Sequence, residues 1–142
     1  MKSWADRTED ALAGEGRRRS TPRRVVLELL AERDCCVSAP ALYEAARAAG
    51  TPVGLASVYR VLDLLTEKGL VEKLDLAEDH AYYEKVDPVS DHHHHVVCTD
   101  CGRVSQFADD QLESALREVE GRTGFAVERH DVLLRGACAD CR

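Results

Sequence analysis

The chain has no apolar run longer than a few residues, and its first ten, MKSWADRTED, are charged rather than hydrophobic. A membrane-spanning helix needs about 20 apolar residues in a row and a secretory leader needs an apolar centre, so neither is expected and a cytoplasmic location is. An excess of positive charge is also lacking, the net charge being −7 at pH 7. Phosphate binding needs Lys and Arg, so this balance taken whole argues against a nucleic-acid partner. The charge is unevenly spread, however. Residues 1–74 hold 12 basic and 11 acidic side chains, a balance of +1, whereas residues 75–142 hold 7 and 15, a balance of −8. Such asymmetry suggests separate tasks, with the first half able to touch DNA and the second suited to cations. Repeats and low-complexity segments are missing apart from one run of four histidines.

With 142 residues, 44% hydrophobic and 32% charged, the composition is that of a soluble globular protein of one ordinary domain or two small ones. A lobe of about 60 to 70 residues buries a marginal core, for which metal clips or oligomerisation commonly compensate. Six cysteines in a cytosolic chain point to metal ligands or reactive thiols rather than to a disulfide framework.

Residues 4–16 have a helical pattern that stops at Gly14 and Gly16, followed by the basic cluster Arg17, Arg18 and Arg19. Thr21 and Pro22 read as the cap and first residue of a second helix, in which Val25, Val26, Leu29 and Leu30 recur at helical spacing. Ser38 caps a third helix closed by Gly50, and a fourth runs through ASVYRVLDLLTEK to Gly69. Leu70 to Leu74, an acidic turn and Ala81 to Tyr83 then form a hairpin, which completes the order of a winged helix-turn-helix. A plain structural bundle has the same periodicity. Ser57, Tyr59 and Arg60 in the first half of the fourth helix favour DNA, since recognition helices meet bases and phosphates there, although Tyr59 is equally compatible with a core position. A linker is expected over 87–91, separating domains at 1–86 and 92–142. The second half reads as strands near 93–98, 103–107 and 125–135, with a helix between the last two capped by Asp109 or Asp110 and ended by Gly121 or Gly124. The whole is therefore α+β.

Cys98-x-x-Cys101 and Cys138-x-x-Cys141 meet the tetrahedral four-thiolate requirement of a structural zinc, which leaves no open position for catalysis. The run SDHHHHVVCTDCGR is internal, unlike a purification tag, and a loose metal-binding tract is its simplest explanation. Val96 and Val97 extend it as a strand, however, and side chains on a strand alternate between faces. His92 and His94 then share one face, where Glu113 and His130 can complete a site. His93 and His95 share the other, with Glu84 and Cys36 as candidate partners. Glu113 as a solvated helix residue, His130 as a surface histidine, and Cys35 and Cys36 as small buried hydrophobes are the alternatives. So are a zinc hydrolase using His92, His94 and His130, and a metal-storage module.

Together GLASVYRVLDLLTEKGLV, HHHHVVCTDCG and CADC resemble the ferric uptake regulator family of metal-dependent bacterial repressors, over about Arg17 to Cys141. The resemblance implies a homodimer with an N-terminal winged helix on an inverted-repeat operator in double-stranded DNA and a small C-terminal α/β dimerisation domain with metal sites. Neither a membrane nor a small organic substrate is implied, and no enzyme. Position by position, Cys98, Cys101, Cys138 and Cys141 match structural zinc ligands. His92, His94, Glu113 and His130 match a site inside the dimerisation lobe, where the family usually has Asp in place of His94. Glu84, His93 and His95 match an interdomain regulatory site, with Glu72, His80 and Asp87 as substitutes for Glu84 because two extra residues precede the histidines. The chain departs from iron and peroxide sensors at Cys36, where they carry histidine, and at Gln106, where some carry an acidic ligand. A thiolate suits Zn(II) better than Fe(II) or Mn(II). Zinc sensing is therefore expected, with Fe(II) or peroxide sensing as the alternative and a thiol-redox role for Cys35 and Cys36 open.

Overall fold

The computed structural model describes residues 1–77, 81–88 and 91–142, which fall into two compact units, Met1–Ser90 and Asp91–Arg142. His80 and part of the expected 87–91 linker lie outside the described residues.

In the first unit α1 (Trp4–Gly14) starts at a capping box, Ser3 accepting from the Asp6 backbone while Asp6 reaches back to Ser3. α2 (Thr21–Ala31) is capped by Ser20, whose side chain accepts from Arg23 N. The expectation of Thr21 as cap is thus one residue late: Ser20 keeps the extended backbone a cap requires, and Pro22 is tolerated anywhere in the first turn. A two-residue strand β1 (Val37–Ser38) follows, and Ser38 also caps α3 (Ala39–Ala48). α4 (Leu55–Glu67) then leads through Gly69, at φ 70°, into β2 (Val71–Leu74) and β3 (Tyr82–Lys85). The strands form an antiparallel sheet of order β1-β3-β2, with Leu74 opposite Tyr82 and Val37 opposite Tyr83. This is a tri-helical unit with a wing hairpin, preceded by one extra helix.

Its core is aliphatic: Leu12, Leu27, Leu30, Leu42, Leu62 and Leu65 are all buried, as the period-3.6 pattern requires. Burying each such side chain contributes on the order of 1.5–3 kcal/mol. α1 is fastened on at two further places. Glu9 and Arg23 form a buried ion pair at 2.9 Å, and the Trp4 indole donates to the Val86 carbonyl at 3.0 Å.

The second unit contains β4 (His94–Cys98), β5 (Val104–Phe107), α5 (Asp110–Thr123) and β6 (Leu133–Gly136). The sheet order is β5-β4-β6, antiparallel between β4 and β5 and parallel between β4 and β6. Asp109 caps α5, and Gly124 ends it with a left-handed φ of 75°. The strand expected over 125–135 is confined to its last residues. Pairing with β4 begins at Leu133 opposite His95, and because β4 itself begins at His94, a strand further upstream would have no neighbour. Burial here is slight. Only His94, Val97 and Cys98 of the second unit are buried, and no residue of α5 is.

Candidate metal centres and nucleic-acid face

The two Cys-x-x-Cys hooks meet at one end of the second sheet. The first closes the β4–β5 turn, where Gly102 at φ 77° donates to the Cys98 carbonyl. The second follows β6, and parallel pairing of Cys98 with Gly136 delivers Cys138 beside Cys98. An Arg103–Asp140 ion pair at 2.8 Å joins them across the exposed side. All four sulfurs lie within 4.8 Å of one another. Cys101 and Cys138 Sγ are 3.8 Å apart, matching the ~3.8 Å that Zn–S bonds of about 2.3 Å impose on a tetrahedron.

The electrostatics of the cluster favour thiolates at two of its four positions, the anionic form that binds a cation. Backbone N–H groups of Cys101 and Cys138 aim at Cys98 Sγ, at 3.5 and 3.3 Å, and hold its thiol down at about 6. Cys138 is likewise lowered, chiefly by the Asp140 backbone. Cys141, facing the other three sulfurs, is pushed up to about 12. Four negative sulfurs cannot coexist here unaided, and a divalent ion is the kind of group that would supply the missing charge.

The second cluster is built on the first turn of α5 and the start of β4. His92, His94, Glu113 and His130 place one donor atom each within 4.8 Å of one another. Glu113 Oε1 is 2.6 Å from His94 Nε2 and Glu113 Oε2 is 2.7 Å from His130 Nε2, while His92 and His130 Nε2 are 3.2 Å apart. His94 is 1% exposed, and Val132 N–H donates to its Nδ1, which leaves Nε2 turned to Glu113. The hydrogen bond from His94, then that from His130, holds the Glu113 carboxyl below its ordinary range. Glu113 is therefore no free helix residue. His130 lies in the irregular segment before β6 rather than on a strand.

His93 and His95 pair with each other rather than with that cluster, as alternation predicts: their rings are 5.0 Å apart, and those of His92 and His94 are 4.6 Å apart. Cys36 and Glu84 lie in the first unit. Glu84 sits on β3 opposite Glu72. The Cys36 thiol is pushed up first by Cys35, then by burial and by the Glu84 charge. Sequence reasoning passed over Cys35 as a donor, yet its sulfur lies 3.9 Å from that of Cys36 and within 4.8 Å of a Glu84 carboxylate oxygen. Two adjacent cysteines were visible. Which faces the wing depends on the bend at Asp34–Cys35, which no periodicity reveals. Of the substitutes for Glu84, Asp87 pairs with Arg7 at 3.3 Å.

On α4, Arg60 Nη2 donates to Ser57 Oγ at 2.9 Å, and Tyr59 is 38% exposed rather than in the core. Arg17, Arg18 and Arg19 are exposed in the segment before α2, with Arg19 near Asp10 at 3.8 Å. α4 thus offers a cation and a phenol to solvent, with a half-exposed hydroxyl beside the cation, donors that phosphates and base edges accept.

The family model of the ferric uptake regulator family matches residues 14–135. The ferric uptake regulation protein of Escherichia coli strain K12 is 37% identical over 135 residues, which is 93% of this chain and 90% of that protein. The crystal structure of the Vibrio cholerae ferric uptake regulator superposes with a TM-score of 0.79 at 33% identity, covering 92% of this chain and 99% of that one. The ferric uptake regulator from Pseudomonas aeruginosa with manganese gives 0.70 at 33% identity, over 92% and 97%.

Proposed function

The chain belongs to the ferric uptake regulator family, and on that premise we propose that it is a repressor whose regulatory metal is zinc. Members of the family are metal-responsive transcription regulators that bind DNA as dimers, and so is this chain; it is not an enzyme.

The thiols at 35 and 36 carry the zinc reading. Cys35 lies against the Glu84 carboxylate and Cys36 feels its charge, which brings sulfur to the donor set of the first unit. Thiolate with carboxylate and imidazole suits tetrahedral Zn(II), whereas Fe(II) and Mn(II) prefer harder, octahedral surroundings. Cys36, Glu84, His93 and His95 form the proposed regulatory set, two donors from each unit. Cys98, Cys101, Cys138 and Cys141 hold a structural zinc, and His92, His94, Glu113 and His130 a second ion. Arg17, Arg18, Arg19, Ser57, Tyr59 and Arg60 contact an inverted-repeat operator.

The mechanism is linkage: an ion shared by donors of both units favours whichever dimer presents α4 correctly to DNA. Moving a 1:99 mixture to 99:1 takes about 5.5 kcal/mol of differential metal affinity, within reach of two or three ligands available in one state only. The homodimer itself is supported by the apolar side chains that the second unit leaves exposed, among them Val119, Phe125, Val127 and Leu134.

Iron sensing is the second reading, favoured by relatives that are named as ferric uptake regulation proteins. An anaerobic titration separates the two. Protein carrying only its structural zinc is exposed to buffered Zn(II) or Fe(II) while operator binding is followed. Zinc sensing predicts a switch at very low free Zn(II) that Cys36→Ser abolishes. A switch by Fe(II) that is indifferent to Cys36→Ser establishes the iron reading instead.

A further inference from the structure

The geometry points to Cys35 and Cys36 acting together as a two-thiolate chelate for a thiophilic divalent cation, with the Glu84 carboxylate as third donor, all three within the winged-helix unit. This deepens the zinc reading and rests on it. That reading uses one thiolate with both imidazoles of His93 and His95; the chelate uses two thiolates and leaves one position of the tetrahedron for a single imidazole.

Adjacent residues on an extended strand point to opposite faces, so neighbouring cysteines do not ordinarily share a ligand. Here the chain bends at Asp34–Cys35 before β1 begins at Val37, and the bend turns both side chains to the same side. Their sulfurs end up 3.9 Å apart. Two thiolates on one tetrahedral zinc, with Zn–S about 2.3 Å, stand ~3.8 Å apart. Cys101 and Cys138, in the four-cysteine cluster, show the same spacing at 3.8 Å. Across the sheet, β3 pairs with β1 so that Tyr83 faces Val37, and continuing this register brings Glu84, the next residue on β3, to the level of Cys36. A Glu84 oxygen lies within 4.8 Å of Cys35 Sγ.

Both cysteines are only partly buried, so a cation can enter and a fourth ligand can reach it. Two sulfurs discriminate more strongly against Fe(II) and Mn(II) than one, and place Zn(II) and Cd(II) at the head of the order.

The test uses the full chain with its structural zinc in place, titrated anaerobically with Co(II) as a spectroscopic substitute for zinc. Sulfur-to-cobalt charge-transfer intensity reports how many thiolates bind, and competition with a zinc chelator gives the affinity. For the chelate, Cys35→Ser and Cys36→Ser each remove about half of the intensity, and each weakens Zn(II) binding by at least the roughly 10–100-fold that outer ligand changes already bring. The double variant removes the band. If Cys35→Ser leaves band and affinity unchanged while Cys36→Ser removes the band, the chelate is wrong and the one-thiolate zinc reading survives. If neither variant changes the band, the zinc reading itself falls. Retention of one zinc per chain and an unchanged thermal midpoint establish that each variant is folded.

Discussion

Arg60 shows how much one side chain can be asked to do. It projects from the exposed side of α4 and donates to Ser57 Oγ at 2.9 Å, which leaves its charge at the surface. A cation in that place contributes to DNA affinity mostly by releasing counterions. Arg60→Ala is therefore expected to weaken operator binding and to lower the slope of log affinity against log salt by about one unit, read by titrations at several salt concentrations. A metal-storage protein would lose nothing by the change. Glu9 is the opposite case, a charge with no access to water. Its ion pair with Arg23 is 3% and 5% exposed, and Arg23 Nη2 has no hydrogen-bond partner, so removing the carboxylate strands a buried guanidinium. Glu9→Ala should cost about 3–5 kcal/mol by denaturant unfolding, and a paired Glu9→Leu, Arg23→Met replacement should recover most of it.

At the scale of elements, α1 depends on its first turn. Asp6 is held below its ordinary value first by the Ser3 hydroxyl and then by Arg24, which also ties α1 to α2 at 3.1 Å. A carboxyl lowered on folding contributes stability that is fully present above its unfolded value of 3.8 and fades as pH falls through the lower folded value. Asp6→Asn should thus lower the thermal midpoint at pH 7, and the difference from the parent chain should shrink below about pH 4. An unchanged gap at pH 3 would mean that the amide fails for some other reason. Helices of this kind were legible in the sequence because their apolar spacing and caps are local. The misplaced cap at Thr21 and the overlong strand at 125–135 were not, since the first turns on which of two adjacent hydroxyls stays extended and the second on where β4 begins. β1, with two residues, is too short to leave any periodicity. The same contrast holds for the sites. Cys-x-x-Cys pairs and an alternating histidine run announce themselves, whereas the part of Cys35 depends on a single bend.

For the molecule as a whole, the two units are unlike in what holds them together. The first has a continuous aliphatic core from Leu12 to Tyr83. The second has 52 residues, Asp91–Arg142, an α-helix with no buried residue, and large apolar side chains such as Phe125 at 74% exposure. A lobe of that size cannot offset its conformational entropy with three buried side chains, so its fold must draw on bound metal and on a second copy of the chain. Binding at the four cysteines is then folding energy, because that cluster joins the β4–β5 turn to the residues after β6 and closes the sheet at one end. Stripping the zinc proposed there with a strong chelator should therefore release amide protection across β4, β5 and β6 and dissociate the dimer, while protection in α2, α3 and α4 persists. Hydrogen exchange followed by mass spectrometry, with sizing in parallel, reads both. A metal-stripped chain that stayed dimeric and protected over 91–142 would mean that the dimer contact alone carries the second unit, and that the four-cysteine zinc is an accessory to its fold rather than a condition of it.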